Sequence, residues 1–480
     1  MNGKFSSYST ETSYGIILEH LKRWPDLVVL AMVSLAVLAQ PMRGEAQILS
    51  ESLVSAYLNN PSLRAARASL RSVDEGVPQA IANWRPSISL TGDYGGSAVT
   101  NTRTSGSDLD QFRHPRGLGL TVSQPLFRGG RTVAAISEAE HKVLAERARL
   151  VGTEQTVMLD TVTSFVNVFR DEAVLKLNTN NEEVLKRQLE ATRDRFSVGE
   201  ITRTDVHQAE ARLARAVADR IQSEGDLEIS RAGYVNVVGG SVPNKLIAPA
   251  LPQGMPKSRD DAMKLAVKKN PAVIGAEFDR LAALDNTSEV RGELRPTLTL
   301  DGKWTRALES AAESGRISTK SLILNLSMPI YQQGAVYSRL RQARQTAVER
   351  ALTADQQRRD ARQSAAQAWE SLLTAQARVK AFRSQIEANV VALEGVQREA
   401  AVGSRTVLDV LDAEQELLDS RVSHVRAQRD ELVASYEVLA AVGSLTARAL
   451  ELDVIFYETR THYNKVRDEI FDGMSPEGVR

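Results

Sequence analysis

Residues 295–330 read RPTLTLDGKWTRALESAAESGRISTKSLILNLSMPI, and the architecture can be inferred from this stretch. From Thr297 to Trp304 apolar and polar positions alternate, and the alternation returns with Leu322, Leu324, Leu326, Met328 and Ile330. A side-chain period of two puts one apolar and one polar face on a strand. Residues 305–317 between the two runs are polar, so the segment reads as a hairpin over residues 296–330. The same pattern occurs earlier. Ser87-Ile88-Ser89-Leu90-Thr91-Gly92-Asp93-Tyr94 alternates, as do Leu118, Leu120 and Val122, around a polar connection at residues 97–116. That is a second hairpin, at residues 86–127, which makes four strands in all.

The two hairpins belong to an internal duplication. Asn60-Pro61 recurs as Asn270-Pro271, and Arg85-Pro86 recurs as Arg295-Pro296, at one offset. At a second offset, six residues shorter, Pro125 matches Pro329, Gly130 matches Gly334, and Val198-Gly199 matches Val402-Gly403. Asp205 with Asp409, Glu210 with Glu414, and Gly239 with Gly443 keep that second offset. The duplicated unit is about 200 residues, too long for a solenoid repeat.

After each hairpin the chain changes period. Residues 126–242 and 330–475 contain no proline and are rich in Ala, Leu, Glu, Arg and Gln, which are good helix formers. Ile136, Val143, Leu150 and Val157 recur every seven residues. Ala347, Ala351, Ala354, Ala361, Ala365, Ala368 and Ala375 form a heptad seam whose small side chains allow close helix approach. Gly199 and Gly403 interrupt the pattern and mark helix turns. Asn60 and Asn270 read as N-caps, each followed by a proline at the first helical turn.

The expected plan is therefore a first repeat over residues 47–242, with a leading helix, a hairpin (86–127), a long helix (130–197) and a return helix (203–238). A linker over 243–256 comes next. The second repeat (257–443) has the same order, with hairpin 296–330, long helix 335–401 and return helix 405–442, and residues 444–480 form a C-terminal extension. Pro86, Pro125, Pro296 and Pro329 mark the junctions between strands and helices. A long helix of this kind extends about 100 Å at ~1.5 Å per residue.

Composition narrows the function. The 480 residues carry 60 basic and 60 acidic side chains, so the chain lacks the basic excess of a nucleic-acid binder. No cysteine is present, which excludes disulfides, thiolate metal sites and catalytic thiols. The six histidines, at 20, 114, 141, 207, 424 and 462, show no metal-ligand spacing. His207 and His424 read as solvated residues on charged helix faces. The glycine pairs lack the Lys-Ser/Thr of a phosphate loop. No catalytic constellation, metal site or cofactor motif is found, and no enzyme is expected. Near the start, Lys22 and Arg23 precede the 13-residue apolar run Leu27–Ala39, too short to span a bilayer and followed by small residues. Residues 1–46 read as a secretory signal peptide, cleaved after Ala39 or Ala46.

In an exported protein, alternating strands with one apolar face fit either a sheet on a core or a membrane barrel. Four strands cannot close a barrel, since the smallest bacterial ones have about eight, and open sheet edges are not tolerated in lipid. If these strands enter a membrane, several copies share one barrel. Trp84 and Trp304 fit an interfacial aromatic belt as well as they fit ordinary packing.

Six segments carry further information: ESLVSAYLNNPSL at the first leading helix, ANWRPSISLTGDY at the first strand, QPLFRGGRT at 124–132, FSVGEITRTDV at 196–206, AAVGSRTVLDVLDAEQEL at 400–418 and LTARALELDVIFYETRTHYNKVR at 445–467. Their order, spacing and duplication carry a resemblance to the TolC family of outer-membrane efflux and secretion proteins. It implies a mainly α fold with a membrane β-barrel part: a homotrimer, twelve strands closing one barrel in the outer membrane, and helices forming a periplasmic tunnel. It implies a passive exit duct that meets a periplasmic adaptor (a membrane fusion protein) and an inner-membrane ABC exporter or proton-driven pump. QPLFRGGRT and the HYNKVR segment resemble type I secretion members, which favours protein cargo over drug or metal efflux. A periplasmic coiled-coil adaptor would explain the heptads but not the four strands.

The site of such a protein is a channel mouth. Asp409 and Asp412, three apart just after Gly403, share roughly one helix face. Under three-fold symmetry they would form stacked rings of carboxylates, which select cations. By resemblance, Asp409 and Asp412 line the periplasmic constriction, while Arg405 and Asp205 belong to the polar links that hold it shut. An aromatic that takes part in closure elsewhere in the family falls at Ala400 here. The competing reading of Asp409 is an acidic residue favoured by the helix dipole.

Overall fold

The protein is described by a computed structural model covering residues 49–101, 109–243, 246–247, 249–310 and 314–470. The expected signal peptide (1–46) and the end of the extension (471–480) lie outside the described residues. The chain divides into two units, Met1–Gln47 with Pro243–Leu246, and Ile48–Val242 with Ile247–Arg480. Among the described residues, every helix and strand belongs to the second unit.

The first repeat opens with α1 (Leu49–Asn59), α2 (Pro61–Asp74) and α3 (Gly76–Ala82). Strands β1 (Ser87–Tyr94), β2 (Ser97–Asn101), β3 (Leu109–Arg113) and β4 (Arg116–Arg128) come next, then the long α4 (Arg131–Ser197) and its return helix α5 (Arg203–Val238). The second repeat runs α6 (Arg259–Lys269), α7 (Pro271–Gly292), β5 (Thr297–Leu308), β6 (Arg316–Ser327), α8 (Ala335–Ala401) and α9 (Val407–Ala441). A short helix, α10 (Thr459–Val466), lies in the extension and packs on α2.

The leading stretch of each repeat breaks at Asn-Pro, where a single helix was expected, and in the first repeat it breaks again at Glu75, between α2 and α3. The reason is local. Asn60 Oδ1 accepts from the Ser62 and Leu63 amides at 2.9 and 3.3 Å, so a new helix starts there and the old one must stop. Asn270 Oδ1 does the same with the Ala272 amide at 2.9 Å. The other end of each amide fixes the fold: Asn60 Nδ2 donates to Val237 O at 2.9 Å, and Asn270 Nδ2 to Ala441 O at 3.0 Å. Each cap thus ties a leading helix to the end of its own return helix.

The long helices organise the rest. α4 is flanked by α2 and α7 towards its start, and packs on α5 and α9. α8 packs on α6, α7 and α9. The alanine seam of α8 is buried except at half-buried Ala351. Ala361 and Ala365 pack with Ala262, Ala266 and Val273, while Ala368 and Leu372 pack with Ala434 and Val438. Among the described residues no helix is long and apolar enough to cross a membrane.

Four of the strands form one sheet in the order β1-β4-β5-β6, antiparallel throughout, so the two repeats meet at the β4–β5 pair. Register puts Ile88, Val122, Gly302 and Leu322 in one row of the apolar face. Leu90, Leu120, Trp304 and Lys320 form the next row. On the opposite face Asp301 accepts from Ser123 Oγ and Asn325 Nδ2, both at 2.5 Å. Among the described residues β1 and β6 are free edges.

Two expectations about the hairpins need correction. The polar connection at 97–116 is not plain loop: β2 and β3 pair within it as a separate two-stranded ribbon. In the second hairpin β5 extends through Leu308 and β6 begins at Arg316, well inside the stretch expected as a polar connection. Alternation of hydrophobicity marks where a strand has an apolar face, not where its backbone ladder stops. Pro86 and Pro296 immediately precede strands, and Pro329 lies just beyond β6. Pro125 instead sits inside β4, where the register with β5 shifts between Pro125 and Phe127. A proline cannot donate to the ladder, and a bulge accommodates it.

Candidate functional site at the helical apices

Each repeat ends its long helix in the same turn. After α4, Gly199 adopts φ +82° and its amide donates to Phe196 O at 3.0 Å; after α8, Gly403 adopts φ +79° and donates to Ala400 O at 3.2 Å. A residue with a Cβ is strained at such φ, which is why glycine stands at both apices. Beside each glycine a valine faces outward, Val198 70% and Val402 81% exposed.

The return helices then start with matched capping boxes. Thr202 N and Oγ1 both donate to Asp205 Oδ2 at 2.8 Å, and the Asp205 amide returns to Thr202 Oγ1 at 3.4 Å. In the second repeat Thr406 N and Oγ1 donate to Asp409 Oδ2 at 2.9 and 2.8 Å, and the Asp409 amide donates to Thr406 Oγ1 at 3.2 Å. These bonds from Thr406, backbone first, hold the Asp409 carboxyl below its ordinary range. It therefore stays an anion while serving as a cap.

Asp412 has a different partner. It forms an ion pair with Arg212 of α5, so the acidic residue of the second repeat is engaged by a cation of the first. Packing fixes that geometry: Val407 and Leu411 of α9 sit in one core with Leu185 and Leu189 of α4 and Val206, Ala209 and Ala216 of α5. Arg405 turns to the apex of its own hairpin, Nε to Glu399 Oε2 at 2.9 Å. Asp409 and Asp412 thus lie together on the first turns of α9. Asp205 and Arg405 are not paired with one another within the chain; each is held in its own turn.

Sequence reasoning missed Arg212 and Glu399, since neither stands at a recognisable spacing from its partner. The Thr-x-x-Asp spacing at 202–205 and 406–409 was a readable signal for the caps. It also missed a difference between the repeats just behind the apices. In the first, Arg193 Nη2 donates to Glu210 Oε1 at 2.7 Å and His207 Nδ1 lies 3.1 Å from Oε2, which lowers the Glu210 pKa. The matching positions in the second are Gln397 and Glu414. Glu414 Oε2 is buried without a hydrogen-bond partner, and burial, only partly offset by a bond from Gln397, raises its pKa. His424 departs from the solvated reading as well: its Nδ1 is buried and unpartnered.

Chemically the apices offer carboxylates, guanidinium groups and exposed valines on a rigid helical frame. Among the described residues no cluster of side chains could hold a metal ion.

Comparison with known proteins gives a consistent result. The family described as "Outer membrane efflux protein" matches residues 53–240 and 262–444, one match to each repeat. The chain is 33% identical over 463 residues to the outer membrane efflux protein BepC of Brucella suis, covering 95% of this chain and 98% of that one. It is 25% identical to the proteases secretion protein PrtF of Dickeya chrysanthemi, over 81% of this chain and 87% of the relative. The crystal structure of the Campylobacter jejuni CmeC outer membrane channel superposes with a TM-score of 0.74 at 14% identity, over 88% and 89% of the two chains.

Proposed function

The chain belongs to the outer membrane efflux protein family, the TolC-type channels its motifs resemble, and we propose on that basis that three copies assemble into one exit duct. It is an outer-membrane channel protein with its helical part in the periplasm, and not an enzyme.

One observation carries the assembly: a four-stranded sheet with an apolar face and two unpaired edges, β1 and β6. Lipid does not tolerate such edges, so β6 of one copy must pair with β1 of the next. A head-to-tail contact of this kind closes into a ring, and three copies supply twelve strands. The helical layer is open in the same way. Val348 and Leu352 of α8 are exposed at one side, and Ile221 and Ile229 of α5 at another. Pairing them across copies buries both.

The apices then converge at the periplasmic mouth. Asp409 and Asp412 from each copy form the constriction, and Arg405 with Asp205 supply the polar links that keep it narrow. Val198 and Val402, beside the turn glycines, are the face offered to a periplasmic adaptor, through which the duct meets an inner-membrane ABC exporter or proton-driven pump. Protein secretion of the type I kind is the leading cargo: the 124–132 and 462–467 segments resemble secretion members, and PrtF is named for protease secretion. Small-molecule efflux is the second reading, favoured by the name of BepC.

The test is quantitative proteomics of culture medium from a strain lacking this gene. Specific loss of secreted proteins without amino-terminal signals supports the first reading. An unchanged medium with raised drug or metal sensitivity supports the second.

A further inference from the structure

The apolar face of the sheet is not uniform along its height. At the end nearest the helices its rows are Leu298 with Leu326, Leu300 with Leu324, and Gly302 with Leu322. At the far end they become Trp304 with Lys320, Arg306 with Ser318, and Leu308 with Arg316, while β4 adds Arg116 opposite Leu308. Four cations therefore crown the face, and β1, β4, β5 and β6 place no carboxylate on it. Arg116 is engaged by Glu309 at 3.5 Å. Lys320, Arg306 and Arg316 have no acidic partner among the described residues. Cations directly above an apolar band stand at the height where lipid phosphates lie.

Just below the crown lies a shallow, open depression of about 460 Å³ whose lining includes Leu120, Val122, Gly302, Trp304, Lys320 and Leu322. Gly302 makes it: in register between Val122 and Leu322, it leaves empty the place a side chain would fill. The site thus has an apolar trough with Trp304 at its side and two cations at its upper end. Lys320 and Arg306 are diagonal neighbours on paired strands, about 7–8 Å apart and so able to share one phosphate. Aromatic and basic residues together at a bilayer interface are the chemistry that holds lipid headgroups.

The far end of the sheet faces the outer leaflet, because both long helices leave from the opposite end, into the periplasm. We propose that this crown binds a phosphorylated glycolipid of the outer leaflet, with a phosphate on Lys320 and Arg306 and an acyl chain in the Gly302 depression. The site is complete within one copy and is independent of cargo, so its failure leaves the duct untouched.

The purified full chain, in nanodiscs of phosphatidylcholine, is titrated with lipid A, and bound lipid is counted by native mass spectrometry. Lipid A is expected to bind saturably. Lys320→Glu with Arg306→Glu should weaken it at least ten-fold, Lys320→Gln alone about three-fold, and Gly302→Leu should weaken it while leaving the cations in place. Heat-modifiable gel migration reports that each variant still forms its barrel. Millimolar inorganic phosphate should not displace the lipid. Equal binding of dephosphorylated lipid A, displacement by free phosphate, or unchanged binding in both Lys320 variants would each overturn the proposal.

Discussion

Arg193 reaches across the first helical hairpin to Glu210, 2.7 Å from nitrogen to oxygen, and the second hairpin has no equivalent ion pair at that place. Two further bridges join α4 to α5, Arg220 to Glu182 at 2.5 Å and Arg231 to Glu172 at 3.6 Å. The corresponding pairs between α8 and α9 are Gln397 with Glu414, His424 with Ile386, and Ser435 with Gln376. The second hairpin keeps Arg378 to Asp430 at 3.1 Å. Supplying the missing cation should stiffen it. Gln397→Arg is expected to raise the urea midpoint by an amount equivalent to about 1 kcal/mol, the upper range for a partly exposed pair. An unchanged midpoint would show that a cation at position 397 adds nothing to the bond that Gln397 already makes to Glu414.

Glu414 also sets a pH dependence. Its folded pKa is raised from the ordinary 4.5 by burial. A raised carboxyl binds its proton more tightly when folded, so the stability it contributes is full below pH 4.5 and lost as pH rises through the folded value. Other acids (Asp74, Glu154, Asp160 and Glu289) shift the same way. The informative quantity is therefore a difference. The melting temperature of Glu414→Gln minus that of wild type should grow as pH increases from 4.5, and a flat difference would show that Glu414 plays no part in it.

The two asparagine caps should matter equally, since each both starts a helix and anchors it. Asn60→Ala loses the bonds from the Ser62 and Leu63 amides and the bond to Val237 O; Asn270→Ala loses the Ala272 and Ala441 bonds. A lost cap costs about 1 kcal/mol and a lost side-chain bond about 1 kcal/mol more. Each variant should lower the unfolding free energy by about 2 kcal/mol, read by chemical denaturation. A loss confined to one of them would mean that the repeats are not mechanically equivalent there.

Releasing Asp412 should change permeation without changing its own charge. Arg212→Ala removes the cation that Asp412 now holds. Reversal potentials in a potassium chloride gradient are expected to shift towards stronger cation selectivity. An unmoved reversal potential would show that the Arg212–Asp412 pair lies away from the ion path.

Much of this architecture was legible because the sequence repeats itself. Pro125 with Pro329 and Gly199 with Gly403 keep register, and the change of period at the strands separates sheet from helix. What remained hidden was interaction between elements far apart in the chain. The Arg212–Asp412 pair depends on how the two hairpins pack through Leu189, Val206 and Leu411, and no local spacing reports it. The extra ribbon of β2 and β3 was hidden for a simpler reason: with no apolar face, Ser97–Asn101 shows no period.

Whether the protein is a duct with a mouth lined by Asp409 and Asp412 can be read by single-channel recording in a planar bilayer. Asparagine keeps an oxygen acceptor for the Thr406 cap but removes the charge, so Asp409→Asn with Asp412→Asn is the variant to compare. Discrete, cation-selective conductance steps are expected for the wild type, with a reversal potential moved towards zero in the variant. No conductance from the wild type, or an unmoved reversal potential in the variant, would refute such a mouth.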